Sequence, residues 1–137
     1  MGERVLDYGA VTTGKSGPEI SHSLTRTDLV MYAGASGDFN PMHHDEIAAR
    51  QAGLPSVFGH GMFTAGLLAT AITNFVGVGN LKSYRVRFTK QTWPGEVLTT
   101  SVTVREKRAG NEVVLDCSVV NEQGETKIQG EAIAVLA

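Results

Sequence analysis

Met62-Phe63-Thr64-Ala65-Gly66-Leu67-Leu68-Ala69-Thr70-Ala71-Ile72-Thr73-Asn74-Phe75 is the stretch that decides the fold. Leu67, Leu68, Ala71, Ile72 and Phe75 recur at three- and four-residue spacing, while Ala65, Gly66, Ala69 and Val76 make the segment apolar almost all round. A helix of that kind is buried rather than laid on a surface. From Leu81 onward the period changes to two. Tyr84, Val86 and Phe88 alternate with Arg85, Arg87 and Thr89, which predicts a strand with one core face. Val97 to Arg105, Glu112 to Val120 and Lys127 to Leu136 read as three more strands. Arg108-Ala109-Gly110-Asn111 and Asn121-Glu122-Gln123-Gly124 supply the hairpin turns, and Trp93-Pro94-Gly95 interrupts the sheet as a turn or bulge. A buried helix followed by an antiparallel meander predicts an α+β domain over residues 1–137, in which a sheet wraps the helix.

Ahead of that helix the chain is shorter-ranged in its patterns. Residues 18–25 alternate weakly and lead into Thr25-Arg26-Thr27-Asp28, a capping-box pattern predicting a helix from Arg26 to Ala35. Asp45 is placed to cap a second helix, Glu46 to Gln51, ended by Gly53 and Pro55.

Composition narrows the function. At 137 residues, 42% hydrophobic and 19% charged, the chain has the make-up of one globular domain. A net charge of −2 and a pI near 6.1 leave no basic footprint for nucleic acid or an anionic membrane. Neither a signal-type n-region nor an apolar span of membrane length occurs, so export and membrane insertion are not expected. Cys117 has no partner cysteine and lies in an apolar alternating run, which predicts a buried packing residue and a reducing, cytoplasmic setting.

Between the first two helices lies Ala35-Ser36-Gly37-Asp38-Phe39-Asn40-Pro41-Met42-His43-His44-Asp45. Asp38 and His43, five residues apart on a helix, would point roughly 140° away from each other, so a loop is needed for them to meet. Pro41 removes a backbone donor and drives Asn40 out of the α region, and Asn40 stabilises turns through its amide. A carboxylate and an imidazole on such a loop are an acid/base pair in the making. An isolated Asp here would read as a turn residue. Its combination with Asn40, Pro41 and His43 favours chemistry.

Gly37-Asp38-Phe39-Asn40-Pro41-Met42-His43-His44-Asp45, followed by Phe58-Gly59-His60-Gly61-Met62, resembles the hydratase motif of the MaoC-like (R)-specific hydratase/dehydratase family. Asp28 to Asp38 is similar to small subunits of heteromeric (3R)-hydroxyacyl-ACP dehydratases. The resemblance implies a single hot-dog fold, with the motif on an overhanging helix-loop segment. It implies that trans-2-enoyl and (3R)-3-hydroxyacyl thioesters of coenzyme A or acyl carrier protein are interconverted. No metal or redox cofactor is implied. A dimer is, either of identical chains or with a second hot-dog subunit, and acyl carrier protein is a possible partner. Asp38 and His43 match the family's catalytic pair. Gly61, just ahead of the buried helix, is the expected backbone donor to the thioester oxyanion, aided by unpaired N–H groups, the helix dipole and the absence of a Cβ. Ser36, Asn40, Pro41 and His60 are supporting residues, with Asn40 holding the loop and His60 satisfying a backbone carbonyl. A serine present on the buried helix of some members has no counterpart among Ala65, Gly66 and Ala69.

Competing readings are a hot-dog thioesterase, against which the Asn-Pro-x-His element argues, and a subunit dependent on a partner. His44 is expected to face solvent and Asp45 to cap the next helix. Asp38, His43, His44, Asp45 and His60 are metal-ligand types, yet neither a two-histidine helix pair nor a cysteine pair accompanies them. Arg85 and Arg87 read as solvated edge charges that, with Lys82 and Lys90, are in reach of a pantetheine phosphate or an acidic carrier. Phe58 and Trp93 are candidates for an exposed apolar interface.

Overall fold

A computed structural model describes residues 6–137. A five-stranded antiparallel sheet, in the order β1-β3-β4-β5-β2, carries the molecule. Its strands are β1 Ser21–Ser23, β2 Leu81–Phe88, β3 Val97–Arg108, β4 Glu112–Val120 and β5 Thr126–Val135. The helices are α1 Arg26–Ser36, α2 Glu46–Gln51 and α3 Gly61–Val76, with a 3-10 turn at Pro41–His43.

The sheet meets α3 through β2, β3, β4 and β5. Leu68, Ala71, Ile72 and Val76 of α3 are buried with Leu98, Val102, Leu115, Val119, Ile128 and Ala132 of the strands. This is the wrapped-helix layout expected from the two periodicities. One expectation about α3 is corrected: it is not buried all round. Met62, Gly66, Thr70 and Asn74, spaced by four, form an exposed stripe, with Met62 61% accessible. The sheet of one chain curves around only one side of the helix, and the polar Thr70 and Asn74 lie on the side left open.

Two strand ends also differ from expectation. β3 continues to Arg108 instead of stopping at Arg105, because a register shift between Val104 and Glu106 lets Lys107 and Arg108 pair with Val113 and Glu112. The hairpin tip beyond it needs left-handed backbone, which Gly110 (φ 78°) and Asn111 (φ 61°) provide. Phe88 keeps the helix-facing side of β2 expected for it, its ring lying against Gly61 of α3, but is 51% exposed. It ends an edge strand, where the sheet no longer covers it.

The N-terminal segment is fixed by caps. Thr25 and Asp28 form the capping box of α1, and His22 Nε2 lies 2.8 Å from Asp28 Oδ2. Burial alone would raise the Asp28 carboxyl, but hydrogen bonds from Thr25 and His22 outweigh it and hold the group below its ordinary range. Asp45 caps α2 as expected, accepting from the N–H groups of Ile47 and Ala48 at 3.1 Å each.

Candidate active site

α1 ends at Gly37, whose φ of 76° is left-handed and whose N–H donates to the Ala33 carbonyl at 2.9 Å. Three side-chain oxygens then bend the chain in succession. Ser36 Oγ accepts from the Asp38 N–H (3.2 Å), Asp38 Oδ1 from the Asn40 N–H (3.2 Å), and Asn40 Oδ1 from the Met42 N–H (3.1 Å). Each bond closes a two-residue turn of the Asx or Ser type. Pro41 opens the 3-10 turn that follows, with the His43 N–H on the Asn40 carbonyl at 3.0 Å. Ser36, Asn40 and Pro41 therefore shape the loop.

That turn swings His43 inward, where it is buried. Its Nδ1 lies 2.6 Å from the Phe58 carbonyl oxygen. A carbonyl only accepts, so Nδ1 carries the proton and Nε2 presents a lone pair in the neutral ring. Nε2 faces Asp38 Oδ2 at 3.9 Å, and the Asp38 side chain is 53% exposed. The separation is too long for a direct hydrogen bond. A water at roughly 2.8 Å from each atom would bridge them with ordinary geometry.

His60, the residue before α3, is 2% exposed. Its ring stacks on His43 with centroids 3.8 Å apart and 27° between planes, and its Nε2 lies 3.1 Å from the Asp38 carbonyl oxygen. The carbonyl it satisfies belongs to the motif loop, a link that sequence spacing does not reveal. One ligand atom each from Asp38, His43 and His60 lies within 4.8 Å of the others. His44 and Asp45 are not part of this trio. His44 is exposed and its Nε2 lies 3.1 Å from the Phe39 carbonyl oxygen.

Gly61 is the first residue of α3. His60 offers this helix no side-chain cap, which leaves the first-turn N–H groups free of a side-chain partner. A cleft of about 300 Å³ opens beside it, walled by Phe58, Thr64, Phe88, Gln91, Thr92 and Lys127 among others. Phe58 thus serves the site twice, through its carbonyl on His43 and its ring in the cleft. It is half-buried, edge-on to Trp93 at a centroid distance of 5.9 Å, which corrects the expectation that these two rings form an exposed patch.

Sequence reasoning missed the role of Lys127. Although charged, it is 1% exposed, with Nζ 2.9 Å from Glu96 Oε2, 2.7 Å from Glu125 Oε1 and 2.9 Å from the Gln91 carbonyl. Spacing held one signal, since Glu125, just ahead of β5, and Lys127, within it, are only two apart. Burial would lower the ammonium's pKa, but the two carboxylates outweigh that and raise it. Of the cations considered for a phosphate, Arg85 lies 3.5 Å from Glu131, Lys90 2.9 Å from Glu125, and Lys82 bonds the Gly79 carbonyl.

With fold and site in view, the comparisons agree on a class. Residues 9–125 match the family described as MaoC like domain, and the chain belongs to that family. Among solved structures, the unliganded R-hydratase PhaJ1 from Pseudomonas aeruginosa is similar over 96% of this chain and 86% of its own, with a TM-score of 0.87 and 30% identity. The (R)-hydratase from A. caviae involved in PHA biosynthesis, at 23% identity and a TM-score of 0.85, shares the hot-dog fold over 93% of this chain and 98% of its own. Among curated proteins, 3-hydroxyacyl-thioester dehydratase Y of Mycobacterium tuberculosis is 40% identical over 82 residues, 57% of this chain and 28% of its own length. The peroxisomal enoyl-CoA hydratase 2 of Arabidopsis thaliana is 34% identical over 98 residues, 69% of this chain and 30% of its own. The chain spans less than a third of the length of each of these two curated relatives.

Proposed function

We propose that this protein is an (R)-specific hydratase/dehydratase interconverting trans-2-enoyl and (3R)-3-hydroxyacyl thioesters. The observation that carries the reading is the 3.9 Å gap between the lone pair of His43 Nε2 and Asp38 Oδ2, linked through the stacked His60 ring to the helix end that it leaves without a side-chain cap. One water fits that gap. In hydration its oxygen bonds to C3 of the enoyl group while the dyad takes one of its protons. The C2=C3 π electrons move toward the thioester, whose oxygen gains charge and is met by the Gly61 N–H at the start of α3. The dyad then delivers its proton to C2. The sum is addition of H and OH, and dehydration is the same path reversed. Asp38 and His43 act as one coupled acid/base unit.

All of this is done by protein groups, with coenzyme A or acyl carrier protein present as the acyl carrier of the substrate. The open stripe of α3 and the edge strand β2 support a dimer with a second hot-dog chain, identical or not. The mycobacterial ChsH1-ChsH2 complex shares this fold at 22% identity and a TM-score of 0.83. No helix among the described residues is long and apolar enough to cross a membrane. The unpaired, buried Cys117 accords with a cytoplasmic location.

The test is loss of enoyl absorbance with crotonyl-CoA and a longer trans-2-enoyl-CoA, with chiral analysis of the product and a parallel assay for free thiol. A (3R)-alcohol without thiol release supports the reading. Thiol release without hydration replaces it with a thioesterase. Inactivity of the lone chain that is cured by a second hot-dog subunit assigns it to a heteromeric enzyme.

A further inference from the structure

His60 occupies the N-cap position of α3, where Ser, Thr, Asp or Asn would normally bond the free N–H groups of the first turn. Its ring makes no such bond. Instead Nε2 donates to the Asp38 carbonyl at 3.1 Å, while the ring lies on His43 at 3.8 Å and tilts against Tyr32 at 4.9 Å. The other ring nitrogen, Nδ1, is buried with no hydrogen-bond partner. An unpaired buried acceptor costs stability and offsets what the Nε2–H bond to the Asp38 carbonyl contributes. Stability alone therefore does not account for an imidazole at this place.

We propose that His60 is a positioning residue that sets the distance between Asp38 and His43, an inference that rests on the hydratase/dehydratase reading above. The backbone of one dyad member is tied to its Nε2–H, and the ring of the other is held flat against its face. Because His60 adjoins Gly61, the same residue places the helix end that receives the oxyanion. Acid, base and oxyanion donor are thus referred to one buried ring. Small errors in such a constellation are expensive in rate and cheap in stability.

Two variants separate this role from a structural one. His60→Leu removes the donor and the orphaned nitrogen together, and His60→Gln keeps a side-chain N–H at a reach similar to Nε2. The expected result for His60→Leu is a Tm within a few degrees of that of the parent, with kcat lower by about tenfold or more and KM within about threefold. His60→Gln should recover most of the lost kcat. Crystal structures of the variants should show the Asp38 Oδ2–His43 Nε2 separation moved from 3.9 Å in the Leu variant and restored toward it in the Gln variant. Undiminished kcat in His60→Leu would overturn the proposal, as would a drop in Tm with kcat of the folded protein unchanged. If the parent chain hydrates no enoyl thioester, the functional reading fails separately and the crystal structures still decide. An unchanged Asp38–His43 separation in His60→Leu would then overturn the positioning role, and one that changes there and is restored in His60→Gln would uphold it.

Discussion

Nε2 of His43 and Oδ2 of Asp38 face each other at 3.9 Å, one buried and one half-exposed, with the His43 proton committed to the Phe58 carbonyl on the far side of the ring. The pair is asymmetric in environment as well as in chemistry. His43 is fixed by packing, whereas Asp38 is fixed by the backbone bonds of its own loop.

Asp38→Asn should therefore leave the fold intact and reduce kcat by roughly 10²–10⁴. Asn retains the oxygen that accepts from the Asn40 N–H, so the loop turn survives. Circular dichroism and steady-state kinetics on the same sample check both halves. A variant retaining more than about a tenth of parental kcat would remove Asp38 from the chemistry.

Gly61 is restricted by a neighbour as well as by any substrate. A Cβ built there would lie 2.9 and 3.0 Å from two carbons of the Phe88 ring. Gly61→Ala should push the half-exposed Phe88 ring aside and lower Tm slightly. Adding Phe88→Leu should restore the Tm. Activity should stay low in the double variant if the thioester must approach the Gly61 backbone, whereas recovery of both would show that the glycine serves Phe88 alone.

Lys127 is the only buried cation among the described residues, and its carboxylates make its contribution dependent on pH. Its folded pKa is raised, so its share of stability is complete below the unfolded value of 10.5 and is lost as pH rises through the folded value. Glu125 is held below its ordinary value of 4.5, first by the hydrogen bond from Lys127 and then by that from Lys90, so its share is present above 4.5 and lost as pH falls through the folded value. Lys127→Met should lower Tm across the neutral plateau between these limits, because it leaves the largely buried Glu96 carboxylate without its cation. A Tm–pH profile of parent and variant that superimposes would refute the account.

Cys117 should be inert in the native protein. Burial first, then the nearby Asp116 and Glu131, push its thiol up to about 12. Titration with a chromogenic disulfide at pH 8 should give no thiol in buffer and one in denaturant. Rapid reaction in buffer would mean that β4 opens easily.

Local instructions were legible wherever one segment contained both cause and effect. The Thr25–Asp28 capping box, the Asp45 cap, the Gly110-Asn111 and Gly124 turns, and the two hydrophobic periods each act within a few residues. The helices and strands were read from them with small errors at their ends. The Asp38 to His43 loop was readable for the same reason, since proline and side-chain turns operate over two or three residues.

What the sequence could not display were relations between distant segments. Phe58 orienting His43, His60 reaching back to Asp38, Phe88 covering Gly61, and Glu96 joining Lys127 are separated by 15, 22, 27 and 31 positions respectively. The sequence by itself determined the elements and the wrapped-helix architecture and singled out Asp38 and His43 as the candidate pair, because propensity, capping and period are short-range. Only the tertiary structure decided the distance between that pair, the tautomer of His43, the wall of the cleft and the face of α3 left open. Those depend on how close packing of the sheet against α3 brings remote backbones together, and no local pattern encodes that meeting.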